Sequence, residues 1–147
     1  MSSVPEVLAA LVSLARAALP NSQVIEGPVT GLSGPTSGRM LLVGDEEFDV
    51  QRELVALAGS SATEEYVVPC AAVADVLNTP DQYVADAQAW ADYEAIEAAV
   101  AADPVLGLSA SFSLNASITG PRFRRMGDET GRHALVRFGV HVYAANN

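Results

Sequence analysis

The chain has 147 residues, a formal net charge of −10, and no lysine among its eight cationic side chains. A chain of this length is expected to fold as one domain, residues 1–147, with its own core. The single cysteine excludes an intrachain disulfide. No apolar run approaches the roughly 20 residues of a membrane span, and the opening residues lack the basic segment of a secretory signal. We therefore expect a soluble protein that is cytosolic when made and has no membrane partner.

The charge is unevenly distributed along the chain. Residues 1–121 hold sixteen acidic residues against three arginines, a net of −13, whereas residues 122–147 hold two against five, a net of +3. Because non-specific DNA binding depends on cations, the acidic body argues against nucleic acid as a specific partner. A local arginine cluster on such a body instead predicts contact with an acidic surface, such as a second copy of the protein. A solvated basic turn is the alternative.

The first third of the chain is predicted to contain a helix and two strands. Pro5 fits a first helical turn, and Val4, Leu8, Leu11, Leu14 and Ala18 recur at helical spacing before Pro20 ends the helix. Residues 23–26 are predicted as a short strand, 27–38 as a flexible connection and 40–43 as a buried strand. Residues 50–57 are compatible with a strand or a helix, and 59–62 with a turn.

The middle third is predicted to contain a strand and a long helix. Residues 64–73 alternate as a strand, with Tyr66, Val68 and Cys70 on one face. Since Pro69 lacks a backbone donor, that strand should lie at an edge of the sheet or carry a bulge. Cys70 is expected to be a small buried side chain.

The long helix is expected to begin at Thr79, its cap, and to end at residue 102. Its predicted buried face is Ala85, Ala89, Tyr93, Ile96 and Val100. The solvent-exposed face is expected to carry Asp86, Glu94 and Glu97, and Trp90 is expected to extend the core face.

Two stretches near the C-terminus, residues 108–118 and 134–144, alternate apolar with other residues and predict two long strands. A connection of about thirteen residues, from Gly120 to Arg132, joins them, and part of it could extend the hairpin to a tip at residues 127–131. Arg122 and Arg124 would then share one face, and Phe123 and Arg125 the other. The predicted fold is α+β: a mainly antiparallel sheet with two helices packed on one face and a long C-terminal β-hairpin.

No catalytic, metal-binding or cofactor-binding residues are predicted. His133 and His141 share a strand face but lie roughly 26 Å apart along an extended chain, too far to hold one metal. Nothing in the sequence places either histidine near Cys70. The acidic stretch 45–49 lacks the EF-hand spacing, and the glycine-rich stretch 31–38 lacks the Lys-Ser/Thr ending of a phosphate-binding loop. We therefore expect that the protein is not an enzyme.

Several segments together resemble the tail terminator proteins of long-tailed bacteriophages. These are the N-terminal helix, the run RMLLVG at 39–44, the strand at 65–72, the helix end IEAAVAADP at 96–104 with Leu106-Gly107 after it, and the closing GRHALVRFGV at 131–140. The resemblance covers nearly the whole chain and rests on layout and short motifs.

The resemblance implies a virion structural protein located at the head-proximal end of the tail and made in the host cytoplasm. Such proteins form a six-fold ring that caps the tail tube, stops its polymerisation and joins it to the head connector. The implied partners are other copies of the chain, the major tail tube protein and a connector or neck protein, while DNA passes through the ring.

A ring needs one patch to meet a different patch on the next copy. We expect the subunit or partner interface to include the following residues: Arg122, Phe123, Arg124, Arg125, Arg132 and Arg137. The serine-rich face of residues 109–117 is expected to line a contact or the lumen. The nearer alternative is another ring protein of the phage neck or tail, such as a head-closure or tail-tube protein. The more distant alternative is a small-molecule-binding protein or an enzyme.

Overall fold

The computed structural model describes residues 1–27, 38–54, 62–127 and 131–146. These residues form two helices and six strands in the order α1 (Val4–Ala18), β1 (Gln23–Glu26), β2 (Gly38–Val43), β3 (Val50–Leu54), β4 (Ala62–Leu77), α2 (Gln82–Ala102), β5 (Phe112–Gly127) and β6 (Gly131–Asn146). The predicted α+β class, with its mainly antiparallel sheet and C-terminal hairpin, is confirmed. Neither described helix is long and apolar enough to span a membrane.

The sheet has the strand order β1-β2-β4-β6-β5, and β3 pairs with β4 beyond the end of β2. β1 runs parallel to β2, and the other described pairs are antiparallel. β4 is therefore the central strand, flanked by β6 on one side and by β2 and β3 in succession on the other. This order places β5 at one edge of the sheet and β1 and β3 at the opposite edge.

Both helices pack on one face of the sheet, and the core lies between the helices and the sheet. α1 contributes Val7 and Leu11, and α2 contributes the predicted buried face in full. The even-numbered residues of β4 and β6 point into this core, as the alternation of the sequence predicts. Burial of each large apolar side chain contributes roughly 1.5–3 kcal/mol, so this layer supplies most of the folding free energy. We call the opposite side of the sheet the second face.

Pro69 does not place β4 at an edge of the sheet, so that prediction is wrong. β4 pairs with β6 over residues 63–77 without a register shift, so it carries no bulge there either. On the other side of β4, the pairing with β3 ends at Tyr66 and the pairing with β2 begins at Cys70. Pro69 lies in this gap, where its carbonyl accepts a hydrogen bond from Gly44 N at 2.8 Å. The missing N–H therefore costs no strand pairing.

Both helices differ in detail from their predictions. In α1 the buried residues are Val7, Leu11, Val12 and Ala15, and the predicted Val4, Leu8, Leu14 and Ala18 only flank them. In α2 the cap is Asp81, whose carboxylate accepts a hydrogen bond from Tyr83 N at 3.0 Å. Thr79 instead accepts a hydrogen bond from Asp81 N at 3.1 Å. The helix thus begins two residues later than a Thr79 cap would give, because aspartate is as good a cap as threonine.

Residues 120–132 do not form a thirteen-residue loop, and the predicted extension of the hairpin to residues 127–131 is confirmed. β5 continues to Gly127 and β6 begins at Gly131, so most of residues 120–132 belong to the hairpin. The alternation of apolar residues does not reveal the full length of the hairpin, because a register shift lies between Thr119 and Arg122. Two residues of β5 there oppose one of β6, and the face that each later residue occupies is inverted. Residues 108–111, predicted as strand, form turns.

Three other predictions involve segments that are only partly described. Most of the predicted connection at 27–38 and of the predicted turn at 59–62 lies outside the described residues. Residues 50–57, compatible with either a strand or a helix, form β3 as far as Leu54.

Candidate interaction surface

The outer part of the β5–β6 hairpin presents arginines on the second face of the sheet. Arg122 lies opposite Arg137 in the register, and Arg124 lies opposite Leu135. The predicted sharing of one face by Arg122 and Arg124 is confirmed by this register. We call these two residues the arginine face. Both are exposed, and neither contacts a carboxylate among the described residues.

A groove lies beside the arginine face. It has a volume of about 750 Å³, and its lining combines the apolar Leu42, Val73, Leu135 and Met126 with Asp75, His133 and Arg137. Met126 is 46% exposed. The surface near the arginines thus combines apolar contact area with unpaired positive charge, the composition of many protein interfaces.

Arg137 differs from the arginine face because its charge is neutralised within the chain. Its guanidinium lies 3.1 Å from Asp45 Oδ2 and 3.0 Å from Glu46 Oε1. Asp45 follows β2, so this ion pair ties the end of β2 to β6. Asp45 Oδ1 is buried and makes no hydrogen bond among the described residues. Arg137 is thus placed where it can hold the acidic segment after β2 against the sheet.

Phe123 and Arg125 point to the helix side of the hairpin. The rings of Phe123 and Trp90 are 5.5 Å apart, centroid to centroid, and Arg125 Nη2 lies 3.0 Å from Asp86 Oδ2. Both partners belong to α2, so the helix supports the hairpin from behind. Trp90 extends the core face, as predicted. Asp86, predicted on the solvent-exposed face of the helix, is instead half-buried beneath Arg125.

Arg132 lies at the start of β6, opposite Gly127. Its Nη1 donates a hydrogen bond to Gly131 O at 3.1 Å, and its side chain lies across Gly127, where an added Cβ would be 3.0 Å from Arg132 Cδ. At Gly131 an added Cβ would be 2.3 Å from Val76 O, so only glycine allows β6 to approach β4 this closely. The expected interface residues therefore lie on one hairpin but point in different directions.

The two histidines lie apart on the second face, each beside its own carboxylate. His133 Nδ1 is 2.6 Å from Asp75 Oδ1, and His141 Nε2 is 2.8 Å from Glu65 Oε1. Within the described part of the chain, no group of three or more His, Cys, Asp or Glu side chains could hold a metal ion.

Cys70 is buried, as predicted, and burial raises the pKa of its thiol to about 12. A thiol with this pKa is protonated at neutral pH, and the protonated form is a poor nucleophile.

Two buried acidic residues are features that the sequence analysis missed. Asp92 of α2 is 1% exposed and binds the guanidinium of Arg39 and the hydroxyl of Ser22. Glu64 of β4 accepts hydrogen bonds from Ser2 and Ser3, which directly precede α1. The burial of Asp92 could have been inferred from its place next to Tyr93 on the predicted buried face of the helix. The burial of Glu64 could have been inferred from the strand alternation, which puts it on the same face as Tyr66 and Val68.

A second charged surface lies at the β3 end of the second face. It consists of Asp49, Glu53 and Glu65, which we call the acidic corner. All three are exposed, and Glu53 and Glu65 occupy the same face by the register of β3 with β4. His141 Nε2 lies beside Glu65, and no described arginine pairs with a carboxylate of this corner. One end of this sheet face therefore carries the two unpaired arginines, and the other carries a cluster of exposed carboxylates.

Comparison with known proteins adds no relative: no protein-family model matches the chain, and no curated protein matches it significantly.

Proposed function

We propose that this chain is a structural subunit of a bacteriophage tail that assembles into a ring at the head-proximal end of the tail tube. The observation that carries the proposal is the arginine face, Arg122 and Arg124, exposed and unpaired with any described carboxylate on a chain of net charge −10. The layout of helices and strands that resembles tail terminator proteins supports the same function.

The support behind the hairpin makes this surface suitable for assembly. Trp90 and Asp86 of α2 hold Phe123 and Arg125, so the arginine face is presented on a braced strand pair. A surface that is ordered before binding loses less conformational entropy when a partner docks. Guanidinium groups pair well with carboxylates, and complementary charge speeds the encounter and fixes the orientation of the two partners.

The acidic balance of the chain also suits a ring through which DNA passes. A lumen lined by an acidic protein repels phosphates, so DNA would move through without being held. In this proposal each subunit contacts neighbouring copies of the chain around the circumference of the ring. Its two ends contact the major tail tube protein and a connector or neck protein.

The test is reversal of charge on the arginine face in the phage that encodes the protein. We expect R122E/R124E to abolish capping, so that tails grow to irregular lengths and fail to join heads in negative-stain images. The matched control is S13E/R16E/A87E, which makes the same change in net charge at exposed positions of the two helices. Normal tails from R122E/R124E would refute the role of the arginine face. Tails of uniform length that still lack heads would favour a head-closure protein.

A further inference from the structure

The arginine face and the acidic corner lie at opposite ends of the same sheet face. In the register, Arg124 is opposite Leu135 and Leu135 is opposite Val73 of β4, whereas Glu53 is opposite Thr63 of the same strand. Ten residues of β4 separate Val73 from Thr63, which is about 33 Å along an extended strand. The nearest members are Arg122, which is level with Ala71, and Glu65; six residues of β4, about 20 Å, separate them. The two charged surfaces cannot form ion pairs within one chain at this distance.

Apart from Glu65 beside His141, no residue of either surface is paired with an oppositely charged side chain of the described part of the chain. Arg122 and Arg124 contact no described carboxylate, while Arg125 and Arg137 are already paired with acidic residues of the chain. At the other end, Arg52 of β3 points away from the acidic corner and lies 3.7 Å from the buried Glu64. The chain thus presents one unpaired cationic surface and one carboxylate cluster that no described arginine reaches.

We infer that the acidic corner of one copy is the docking surface for the arginine face of the next copy. The inference rests on the proposed ring function and specifies its subunit contact. A head-to-tail contact joins two different surfaces of the same chain, and it forms a closed ring when the rotation between copies closes. Charge complementarity favours a second copy as the partner, since the chain carries both halves of the contact.

Exposed apolar side chains near both ends add contact area to this interface. Met126 is 46% exposed beside the arginines, and Tyr143, opposite Glu65 in the register, is 47% exposed at the acidic end. Transfer of such side chains out of water favours association, while the charges determine which surfaces meet.

A charge-swap experiment with the purified full-length chain tests the inference. One variant, R122E/R124E, reverses the arginine face, and the other, D49R/E53R, reverses the acidic corner. Each variant alone places like charges at every contact, so we expect the protein concentration at half-assembly to rise at least about tenfold. Native mass spectrometry and negative-stain images measure the assembled fraction and the ring size.

An equimolar mixture of the two variants should restore assembly to within about threefold of the unmodified chain. In an alternating ring, each reversed arginine face meets a reversed acidic corner, and each native surface meets its native partner. Rings of even copy number containing both variants in equal amounts are the expected product. Charge-matched controls on the helices, S13E/R16E/A87E and E94R/E97R, should assemble normally and should not restore ring assembly when mixed with either variant.

The outcomes separate this inference from the proposed function. If R122E/R124E prevents assembly but the mixture does not restore it, the arginine face docks elsewhere; the inference is wrong and the ring function stands. Normal assembly of D49R/E53R, with circular dichroism showing a native fold, also overturns the inference. Restored dimers in place of rings would overturn the head-to-tail geometry. An unmodified chain that stays monomeric at every concentration overturns the contact between copies, and the tail-length experiment then decides the function.

Discussion

Glu64 should fix the start of α1 to the sheet, and replacing it by glutamine should destabilise the protein in a pH-dependent way. The side chain is 4% exposed, yet it is a carboxylate on the core face of β4. It accepts hydrogen bonds from Ser3 N at 2.6 Å, Ser3 Oγ at 2.8 Å and Ser2 Oγ at 2.9 Å. Tyr66 completes the cluster through its hydroxyl, 2.9 Å from Ser3 Oγ.

The charge of Glu64 is stabilised in the folded state. Burial alone raises the pKa of the carboxyl, but the hydrogen bonds from Ser3 and Ser2 and the nearby Arg52 outweigh it and lower the pKa below the ordinary value of 4.5. Hydrogen bonds to a charged group contribute about 1.5–3 kcal/mol. E64Q keeps the shape and loses the charge, so we expect a loss of about 2 kcal/mol at pH 7, or about 6 °C in Tm.

The sign of the pH dependence follows from the lowered pKa. Above pH 4.5 the carboxylate is charged in both the folded and unfolded states, and its full contribution to stability is present. As the pH falls below 4.5 the unfolded chain takes up the proton first, and the contribution is lost as the pH approaches the folded pKa. The difference between the unmodified protein and E64Q should therefore shrink in acid.

Urea unfolding of both proteins between pH 7 and pH 3 measures this difference directly. E94Q, at an exposed position of α2, is the control and should change the free energy of unfolding little at any pH. A destabilisation by E64Q that is the same at pH 7 and pH 3 would refute the assignment of the effect to charge. A stability equal to that of the unmodified protein at pH 7 would refute the role of the cluster altogether.

Three further predictions concern other parts of the fold. R39M leaves the buried Asp92 without its cation and should lower the free energy of unfolding by about 3 kcal/mol. R125M removes the more exposed pair with Asp86 and should lower it by less than about 1 kcal/mol. Equal losses measured by urea unfolding would contradict this difference. G131A forces a Cβ against the backbone of β4 and should cost roughly 2 kcal/mol by overpacking, while G120A, with open space around it, should lower the Tm far less. The thiol of Cys70 should react with a disulfide reagent at pH 8 only after unfolding, and fast labelling of the native protein would contradict its burial.

The layout of the fold could be predicted from the sequence because local patterns specify it. The alternation along β6 identifies its core face, since period-two burial is intrinsic to a strand against a helical layer. The buried face of α2 follows from residues three and four apart. The hairpin could not be predicted in full because the register shift after Thr119 inverts which residues face the core, and the alternation is lost at that point.

The candidate site shows the same division between local and non-local information. The clustering of arginines near the C-terminus is visible in the sequence. Which of them remain unpaired is not visible, because Arg125 and Arg137 find their partners on α2 and after β2, far away in the chain. Likewise, nothing in the local sequence links Ser3 to Glu64, since that contact spans 61 positions.

The register shift in β5 determines which residues of the outer hairpin face the helices and which face solvent. Before Thr119, even-numbered residues face the helices; after Arg122, odd-numbered ones do. If residues 120 and 121 both paired regularly with β6, every later residue of β5 would slip by one position, turning Phe123 and Arg125 outward and the two residues of the arginine face toward α2. The core strands before Thr119 would keep their packing. The extra residue at Gly120 and Pro121 therefore decides which side chains the hairpin presents to a partner and which it holds against the helix.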